Sequence, residues 1–217
     1  MKKNYPRVNY GQSVHGNEEI KEVVKVLKSS TQMGNKVREL EEKIAKLFKK
    51  KYGVMTNSGS SALFLSIKSL NLKKNSEVIT PALTFGTTVA SLVQNNLIPV
   101  FVDVKLNTFC IDEDLIEKSI TKNTVAIAAP DLIGNICEWK KIKKIANKYK
   151  LILIQDSADT LGSKLNNDYA GKYSDISITS FYGSHIINGA GNGGMLCTNS
   201  LKIYNKTKIL RSWGRSS

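Results

Sequence analysis

A histidine in a glycine-rich segment is the first candidate for proton transfer. Residues 180–185 read Ser-Phe-Tyr-Gly-Ser-His and lead into residues 189–194, which contain four glycines. Glycines permit left-handed backbone or a close approach of the backbone to a ligand, which is unusual in an ordinary connection. A lone histidine is more often structural, but this placement favours His185 as a general acid or base.

The acidic segment 155–159, Gln-Asp-Ser-Ala-Asp, follows the apolar stretch 151–154 and is the second candidate. A carboxylate at the end of a buried parallel strand is well placed to meet a ligand. Asp156 beside a cationic heterocycle would hold that ring protonated through a charge-assisted hydrogen bond. A helix-capping aspartate explains the segment equally well when it is taken alone.

Residues 56–62, Thr-Asn-Ser-Gly-Ser-Ser-Ala, lie between a predicted strand and a predicted helix. Glycine lets the backbone approach a ligand closely, and a helix N-terminus presents unpaired amides to an anion. The serine hydroxyls add donors, so the segment is a candidate phosphate site. A plain helix cap explains it about as well.

Helical and strand patterns alternate along the chain, which predicts an α/β fold. The predicted helices cover residues 18–29, 36–50, 60–69, 87–95, 112–119 and 139–149, and the predicted strands residues 52–56, 77–80, 98–102, 124–129, 151–154, 176–181 and 195–198. Apolar strands without alternation indicate a mostly parallel sheet of about seven strands, covered on both faces. The three candidate segments would then meet at the carboxyl ends of the strands.

Composition sets limits on the function. The net charge is +14, but only four of the 32 basic residues are arginines, and the lysines are spread over helix faces without interleaved aromatics. A solvated surface explains this better than a nucleic-acid interface, so we expect no nucleic-acid partner. No apolar run of about 18 residues and no signal-peptide pattern is present, so we expect a cytoplasmic protein with no membrane partner.

The cysteines and histidines do not predict a metal site. Cys110, Cys137 and Cys197 are far apart and form no CxxC pair, which favours reduced core thiols. His15 and His185 are the only histidines, so a histidine-based metal site is not expected.

In this order, the segments resemble the DegT/DnrJ/EryC1/StrS family of sugar aminotransferases, of the aspartate-aminotransferase fold type. The likeness runs from about Tyr10 to Arg215 and includes residues 80–85, 100–104 and 132–135. It implies a three-layer α/β sandwich around a mostly parallel sheet, the large domain of pyridoxal-phosphate-dependent transferases. We therefore expect an N-terminal helical segment, residues 1–40, a cofactor-binding domain, residues 41–217, and no small C-terminal domain, because the chain ends at Ser217.

The resemblance implies a site for pyridoxal or pyridoxamine 5′-phosphate. Gly59 and Ser60 would bind the cofactor phosphate, assisted by Ser180. Phe85 would stack on the pyridine ring, a contact typically worth about 0.5–1.5 kcal/mol beyond burial.

Two aspartates would meet the other edges of the ring. Asp156 would pair with the ring nitrogen and keep it cationic, so that the ring can accept electrons. Asp159 would face the ring hydroxyl, where transaminating members usually carry glutamine or histidine.

The most important departure from the family pattern is at position 185. Transaminating members have a lysine there, which forms a Schiff base, whereas this chain has His185 and no lysine between Lys172 and Lys202. The cofactor would therefore be held noncovalently. This resembles the branch of CDP-4-keto-6-deoxyglucose and GDP-4-keto-6-deoxymannose 3-dehydratases, in which the histidine takes a proton from the cofactor methylene and returns it to the leaving C3 hydroxyl.

The resemblance predicts C3 dehydration of a nucleotide-linked 4-keto-6-deoxysugar in lipopolysaccharide or surface-glycan biosynthesis. It also implies a homodimer when the protein is full length, with a reductase as a candidate partner. The loop after His185 is about one residue longer than the common pattern and lacks its Gly-Glu-Gly-Gly. The alternatives are a family member with other chemistry, an inactive cofactor-binding or dimerisation fragment, and, last, a nucleic-acid-binding protein.

Overall fold

The computed structural model describes residues 6–9 and 11–215. Tyr10, where the resemblance begins, and Ser217, where the expected cofactor-binding domain ends, lie outside these residues. Within the described part of the chain, no helix is long and apolar enough to cross a membrane.

A seven-stranded sheet forms the centre of the molecule, as the sequence predicts. Its strands are β1 (Tyr52–Thr56), β2 (Glu77–Pro81), β3 (Ile98–Val102), β4 (Thr124–Pro130), β5 (Ile152–Asp156), β8 (Ile176–Ser180) and β9 (Gly194–Thr198). They lie in the order β1-β9-β8-β5-β4-β2-β3. Strand β9 is antiparallel to both of its neighbours, and the other neighbouring strands are parallel. The mostly parallel sheet is therefore confirmed.

The helices are α1 (Asn17–Ser29), α2 (Asn35–Leu47), α3 (Gly59–Leu70), α4 (Gly86–Gln94), α5 (Glu113–Ile116), α6 (Trp139–Tyr149) and α7 (Leu201–Arg211). Helix α2 stops three residues before its predicted end at residue 50, and Lys49 there is left-handed, with φ 54°. Helix α5 has one α-helical turn, followed by the 3-10 turn Glu117–Ser119. Helix α2 runs without interruption across residues 40 and 41, where the domain boundary was placed. The boundary stays a prediction.

Two elements were not predicted: α7 and a short hairpin of β6 (Lys164–Leu165) and β7 (Asp168–Tyr169). Helix α7 has only Thr207 buried among its residues, so it lacks a continuous apolar face. Its Ile203 and Tyr204 pack against the core that contains residues of α3. Arg211 at its end donates hydrogen bonds to Glu41 of α2 at 2.6 Å and to the carbonyl of Met55 in β1 at 3.1 Å.

The sheet separates two apolar cores, because successive strand residues point to opposite faces. In β2, Val78 packs in the core that contains residues of α3 and α4, whereas Ile79 packs in the core that contains residues of α5 and α6. Leu153 and Ile154 of β5 are divided in the same way. Full burial of each such side chain contributes about 1.5–3 kcal/mol. Both faces of the sheet are covered, so the three-layer α/β architecture is confirmed.

The start of β9 lies directly against the start of α3. A methyl group at Gly194 would lie 2.2 Å from the carbonyl carbon of Ser58 and 2.3 Å from the nitrogen of Gly59. Both atoms belong to the backbone and cannot rotate away. Glycine at position 194 therefore determines how closely the sheet approaches the first turn of α3.

We expect Gly194→Ala to lower the free energy of unfolding by about 1–3 kcal/mol, since the methyl group must displace backbone. The matched control is Gly86→Ala in the first turn of α4, where an added methyl group meets nothing within 4 Å. Urea denaturation should show no loss of stability for the control, because alanine favours helix more than glycine does. Equal losses in the two variants would contradict the close approach.

Candidate active site

The first turn of α3 presents free amides at the end of β1. Ser58 is the N-cap of the helix, and its Oγ accepts a hydrogen bond from the Ser61 amide at 3.1 Å. The amides of Gly59 and Ser60 have no acceptor within the described part of the chain. Both interpretations of this segment thus hold together: Ser58 caps the helix, and the next two amides remain available to an anion.

Ser180, the last residue of β8, lies against Gly59. A methyl group at Gly59 would be 2.7 Å from Cβ of Ser180, so only glycine permits this contact. The Ser180 hydroxyl accepts a 3.3 Å hydrogen bond from the Tyr182 amide. The structure therefore brings together Gly59, Ser60 and Ser180, which the sequence assigns to one phosphate site; their binding role stays a prediction.

Asp156 ends β5 and carries a carboxylate with little compensation. Burial raises its pKa to about 7, with smaller contributions in the same direction from the charges of Asp159 and Asp131. The Ala158 amide opposes this shift through a 3.1 Å hydrogen bond. Among the described residues, no lysine, arginine or histidine forms an ion pair with Asp156. A cation brought to this carboxylate would stabilise its ionised form.

Asp131, which the sequence analysis missed, lies beneath the site directly after β4. It is fully buried and accepts hydrogen bonds from the Cys137 amide at 2.8 Å, Trp139 Nε1 at 2.7 Å and Gln155 Nε2 at 2.6 Å. Burial raises its pKa to about 6, and the three donors oppose the shift. Its own amide donates to the carbonyl of Asp156 at 2.8 Å, so Asp131 fixes the end of β5.

His185 and Asp159 face each other, although the sequence gave them separate roles. Nδ1 of His185 lies 3.5 Å from Oδ1 of Asp159. The other oxygen, Oδ2, accepts a 3.0 Å hydrogen bond from the Ile133 amide. Both oxygens of Asp159 therefore face groups of the protein. Its role at a ring hydroxyl stays a prediction.

The N-terminal segment 11–16 lies over the loop that carries His185. Ser13 Oγ donates to the carbonyl of Gly183 at 3.0 Å, and His15 Nε2 lies 2.7 Å from Oδ1 of Asn188. These partners are 170 and 173 residues apart in the chain. Sequence reasoning missed these contacts because no local pattern connects them.

The aromatic ring of Phe85 is exposed to solvent. It occupies the N-cap position of α4, after the carboxyl end of β2, and is 68% exposed. A large aromatic side chain at a strand's carboxyl end, without cover from the described residues, is available to stack on a planar ligand. Its stacking role stays a prediction.

A profile of the DegT/DnrJ/EryC1/StrS aminotransferase family matches residues 13–217. The chain belongs to this family. One curated relative is the dTDP-4-dehydro-2,6-dideoxy-D-glucose 3-dehydratase of Saccharopolyspora spinosa, 37% identical over 84% of this chain and 41% of the relative.

Two solved structures of family relatives share the fold. A GDP-4-keto-6-deoxymannose-3-dehydratase with a trapped PLP-glutamate geminal diamine has a TM-score of 0.90 at 34% identity, over 97% of this chain and 55% of that one. Helicobacter pylori PseC, an aminotransferase involved in the biosynthesis of pseudoaminic acid, has a TM-score of 0.89 at 30% identity, over 94% and 55%. The recognised family and the aspartate-aminotransferase type of fold are thereby confirmed. This family member spans about half the length of these proteins.

The stability of this DegT-family chain should depend on pH through Asp156. Its pKa rises from an ordinary 3.8 to about 7 on folding, so the folded state binds the proton more tightly than the unfolded state. The resulting stabilisation is full below about pH 4 and is lost as the pH rises to about 7. Asp156→Asn stays neutral, so we expect the wild type to lose about 1–3 kcal/mol relative to this variant over that range.

The measurement is urea denaturation without ligand at several pH values. Asp114→Asn in α5 is the matched control, because Asp114 is an exposed aspartate far along the chain from the site. A pH-independent difference between wild type and Asp156→Asn would show that the Asp156 carboxylate is not desolvated on folding.

Proposed function

We propose that the chain is the cofactor-binding part of an enzyme that uses pyridoxamine 5′-phosphate to remove the C3 hydroxyl of a nucleotide-linked 4-keto-6-deoxysugar. The single observation that carries the proposal is the imidazole of His185 beside Asp159, at the position where the resemblance implies a lysine in transaminating members. With no lysine between Lys172 and Lys202, this loop offers a proton carrier and no primary amine.

The residues present fit a pyridine phosphate. The free amides of Gly59 and Ser60 suit a phosphate. Among the described residues the carboxylate of Asp156 has no positive partner, which a protonated ring nitrogen would supply. The exposed ring of Phe85 offers a flat apolar surface. The carboxylate, the two amides and the aromatic ring would each contact a different part of the cofactor, namely the ring nitrogen, the phosphate and the face of the ring. The relative solved with a PLP-glutamate adduct supports this assignment.

Each residue would contribute a distinct physical effect. When bound, the cofactor supplies an amine that condenses with the sugar ketone and a ring that accepts an electron pair. Gly59, Ser60 and Ser180 hold the phosphate, which fixes the position of the ring. Asp156 keeps the proton on the ring nitrogen by a charge-assisted hydrogen bond.

His185 performs the proton transfer in this scheme. Its Nε2 would take up the proton released beside the bound amine and would deliver it to the C3 hydroxyl, which would leave as water. A general acid or base in this position contributes about 10²–10⁴-fold to the rate. An imidazole ring has one nitrogen that can accept a proton and can donate it again, so it suits both directions of transfer.

Two alternatives remain within the family. A member with other chemistry is favoured by the similarity to PseC, which is an aminotransferase. The other is an inactive cofactor-binding or dimerisation fragment, which the resemblance leaves open. The resemblance adds three parts to the proposal: a homodimer of the full-length protein, a reductase partner, and a role in lipopolysaccharide or surface-glycan biosynthesis. The cytoplasmic location expected from the sequence is a further part.

The direct test is incubation of the purified chain with pyridoxamine phosphate and nucleotide-linked 4-keto-6-deoxysugars. We expect a sugar product lighter by one water, detected by mass spectrometry. His185→Asn should reduce its rate of formation by about 10²–10⁴-fold, because asparagine cannot carry the proton. Asp114→Asn is the control and should keep the wild-type rate. Unchanged dehydration in His185→Asn would remove the histidine from the mechanism, and absence of product with every sugar would favour the fragment.

The absence of a lysine at position 185 gives a second test. After incubation with pyridoxal phosphate and reduction with borohydride, the peptide that contains position 185 should carry no covalent adduct. The same peptide from His185→Lys should carry one, because a primary amine forms a reducible Schiff base with the aldehyde. The chain has further lysines outside this loop, so the adduct is scored on this peptide alone. If pyridoxal phosphate instead forms a reducible adduct with another lysine, and this adduct prevents further cofactor from binding, the result would favour the transaminating alternative.

A further inference from the structure

The carboxylate of Asp159 is held between a backbone amide and the His185 ring. Its Oδ2 accepts from the Ile133 amide at 3.0 Å, and its Oδ1 lies 3.5 Å from Nδ1 of His185. The second distance is slightly longer than a hydrogen bond, as is common for catalytic groups before a substrate binds. A small side-chain rotation would complete the bond.

The donor to Asp159 comes from a strained turn. Ile133 has φ 55° and ψ 35°, a left-handed conformation that is unusual for a β-branched residue. Its side chain is 68% exposed, so burial of the isoleucine does not account for the strain. Gly134, with φ 81°, continues the turn. This conformation directs the Ile133 amide at Asp159, and strain of this kind is often found at functional sites.

The fixed amide determines which way the carboxylate can act. Because Oδ2 is occupied by the N–H of Ile133, only Oδ1 is directed at the imidazole. An ionised carboxylate is an acceptor only, so it pairs with a ring nitrogen that carries a hydrogen. The partner of Oδ1 is therefore Nδ1–H of His185, and the lone pair of the neutral ring is then on Nε2.

We propose that Asp159 is the positioning residue of His185: it selects the Nδ1–H tautomer and aims Nε2 at the reacting atoms. This inference deepens the proposed dehydration and rests on it for its catalytic consequence. In this role Asp159 acts through the histidine. Its contribution is to keep the imidazole in the protonation form and orientation that can accept a proton, a role known for aspartates behind catalytic histidines.

Asp159→Asn should invert the tautomer. The asparagine oxygen remains with the Ile133 amide, so the side-chain NH₂ group faces Nδ1 of His185. An NH₂ group donates, so Nδ1 must then carry the lone pair and the hydrogen moves to Nε2. Asp159→Ala, which offers neither donor nor acceptor, should lose the tautomer preference without inverting it.

The tautomer can be measured directly by NMR on protein with ¹⁵N-labelled histidine. His15 and His185 are the two histidines of the sequence, so they give all of the labelled signals. The spectrum of His15→Asn then assigns the signals of His185. At a pH where the ring is neutral, we expect His185 in the Nδ1–H form in the wild type and in Asp114→Asn, and in the Nε2–H form in Asp159→Asn. The His15 signals report whether each variant is folded. An Nε2–H wild type, or an unchanged tautomer in folded Asp159→Asn, would overturn the proposal.

The NMR experiment needs no cofactor or sugar, so its outcome does not depend on the proposed reaction. The catalytic consequence is tested separately in the dehydration assay. We expect kcat of Asp159→Asn to fall by about 10²-fold or more, with KM for the sugar nucleotide unchanged. The double variant Asp159→Asn, His185→Asn should be no slower than His185→Asn alone. An inverted tautomer with wild-type kcat would refute the positioning role, whereas inactivity of every chain, wild type included, would count against the dehydration and leave the tautomer result standing.

Discussion

The site depends on two carboxylates at the ends of neighbouring strands, which the fold treats differently. Asp131 after β4 accepts hydrogen bonds from four donors and is satisfied within the protein. Asp156 at the end of β5 is half-buried and receives one amide; desolvation raises its pKa to about 7, and no cation of the described residues pairs with it. A buried charge without compensation is costly, so it persists where a ligand completes it. The satisfied carboxylate fixes the strand end, and the incomplete one marks where a positive group belongs.

The close contacts around α3 explain how a phosphate site can form at the edge of a packed sheet. Gly59 lies against Ser180, and Gly194 lies against the Ser58–Gly59 peptide, so a methyl group at either glycine would overlap its neighbour. The absence of these two side chains lets β8 and β9 approach the helix N-terminus. The same approach brings the Ser180 hydroxyl beside free amides. The packing and the proposed phosphate site are thus consequences of one backbone arrangement.

Much of the fold could be predicted because its strands are apolar along their whole length. Strands β1 and β3 were predicted with the right bounds, and the glycine, serine and aspartate segments were correctly placed at strand ends. Helix α7 was missed, since it has no continuous apolar face and its contacts are made with distant residues, such as the pair of Arg211 and Glu41, which are 170 residues apart. Asp131 showed the same sequence signal as Asp156, an aspartate directly after an apolar strand, and could have been found. The pairing of Asp159 with His185 could not, because it depends on the left-handed turn at Ile133.

A histidine in place of a lysine changes what the rest of the site must provide. A lysine that forms a covalent bond to its cofactor fixes the reacting carbon by that bond alone. His185 forms no such bond, and its loop has little regular structure, so its orientation must come from outside the loop. The structure supplies two contacts of this kind. The segment 11–16 holds the loop at Gly183 and Asn188, and Asp159 faces the imidazole itself. The imidazole can therefore be oriented without a covalent bond to the cofactor, as the proposed proton transfer by His185 requires.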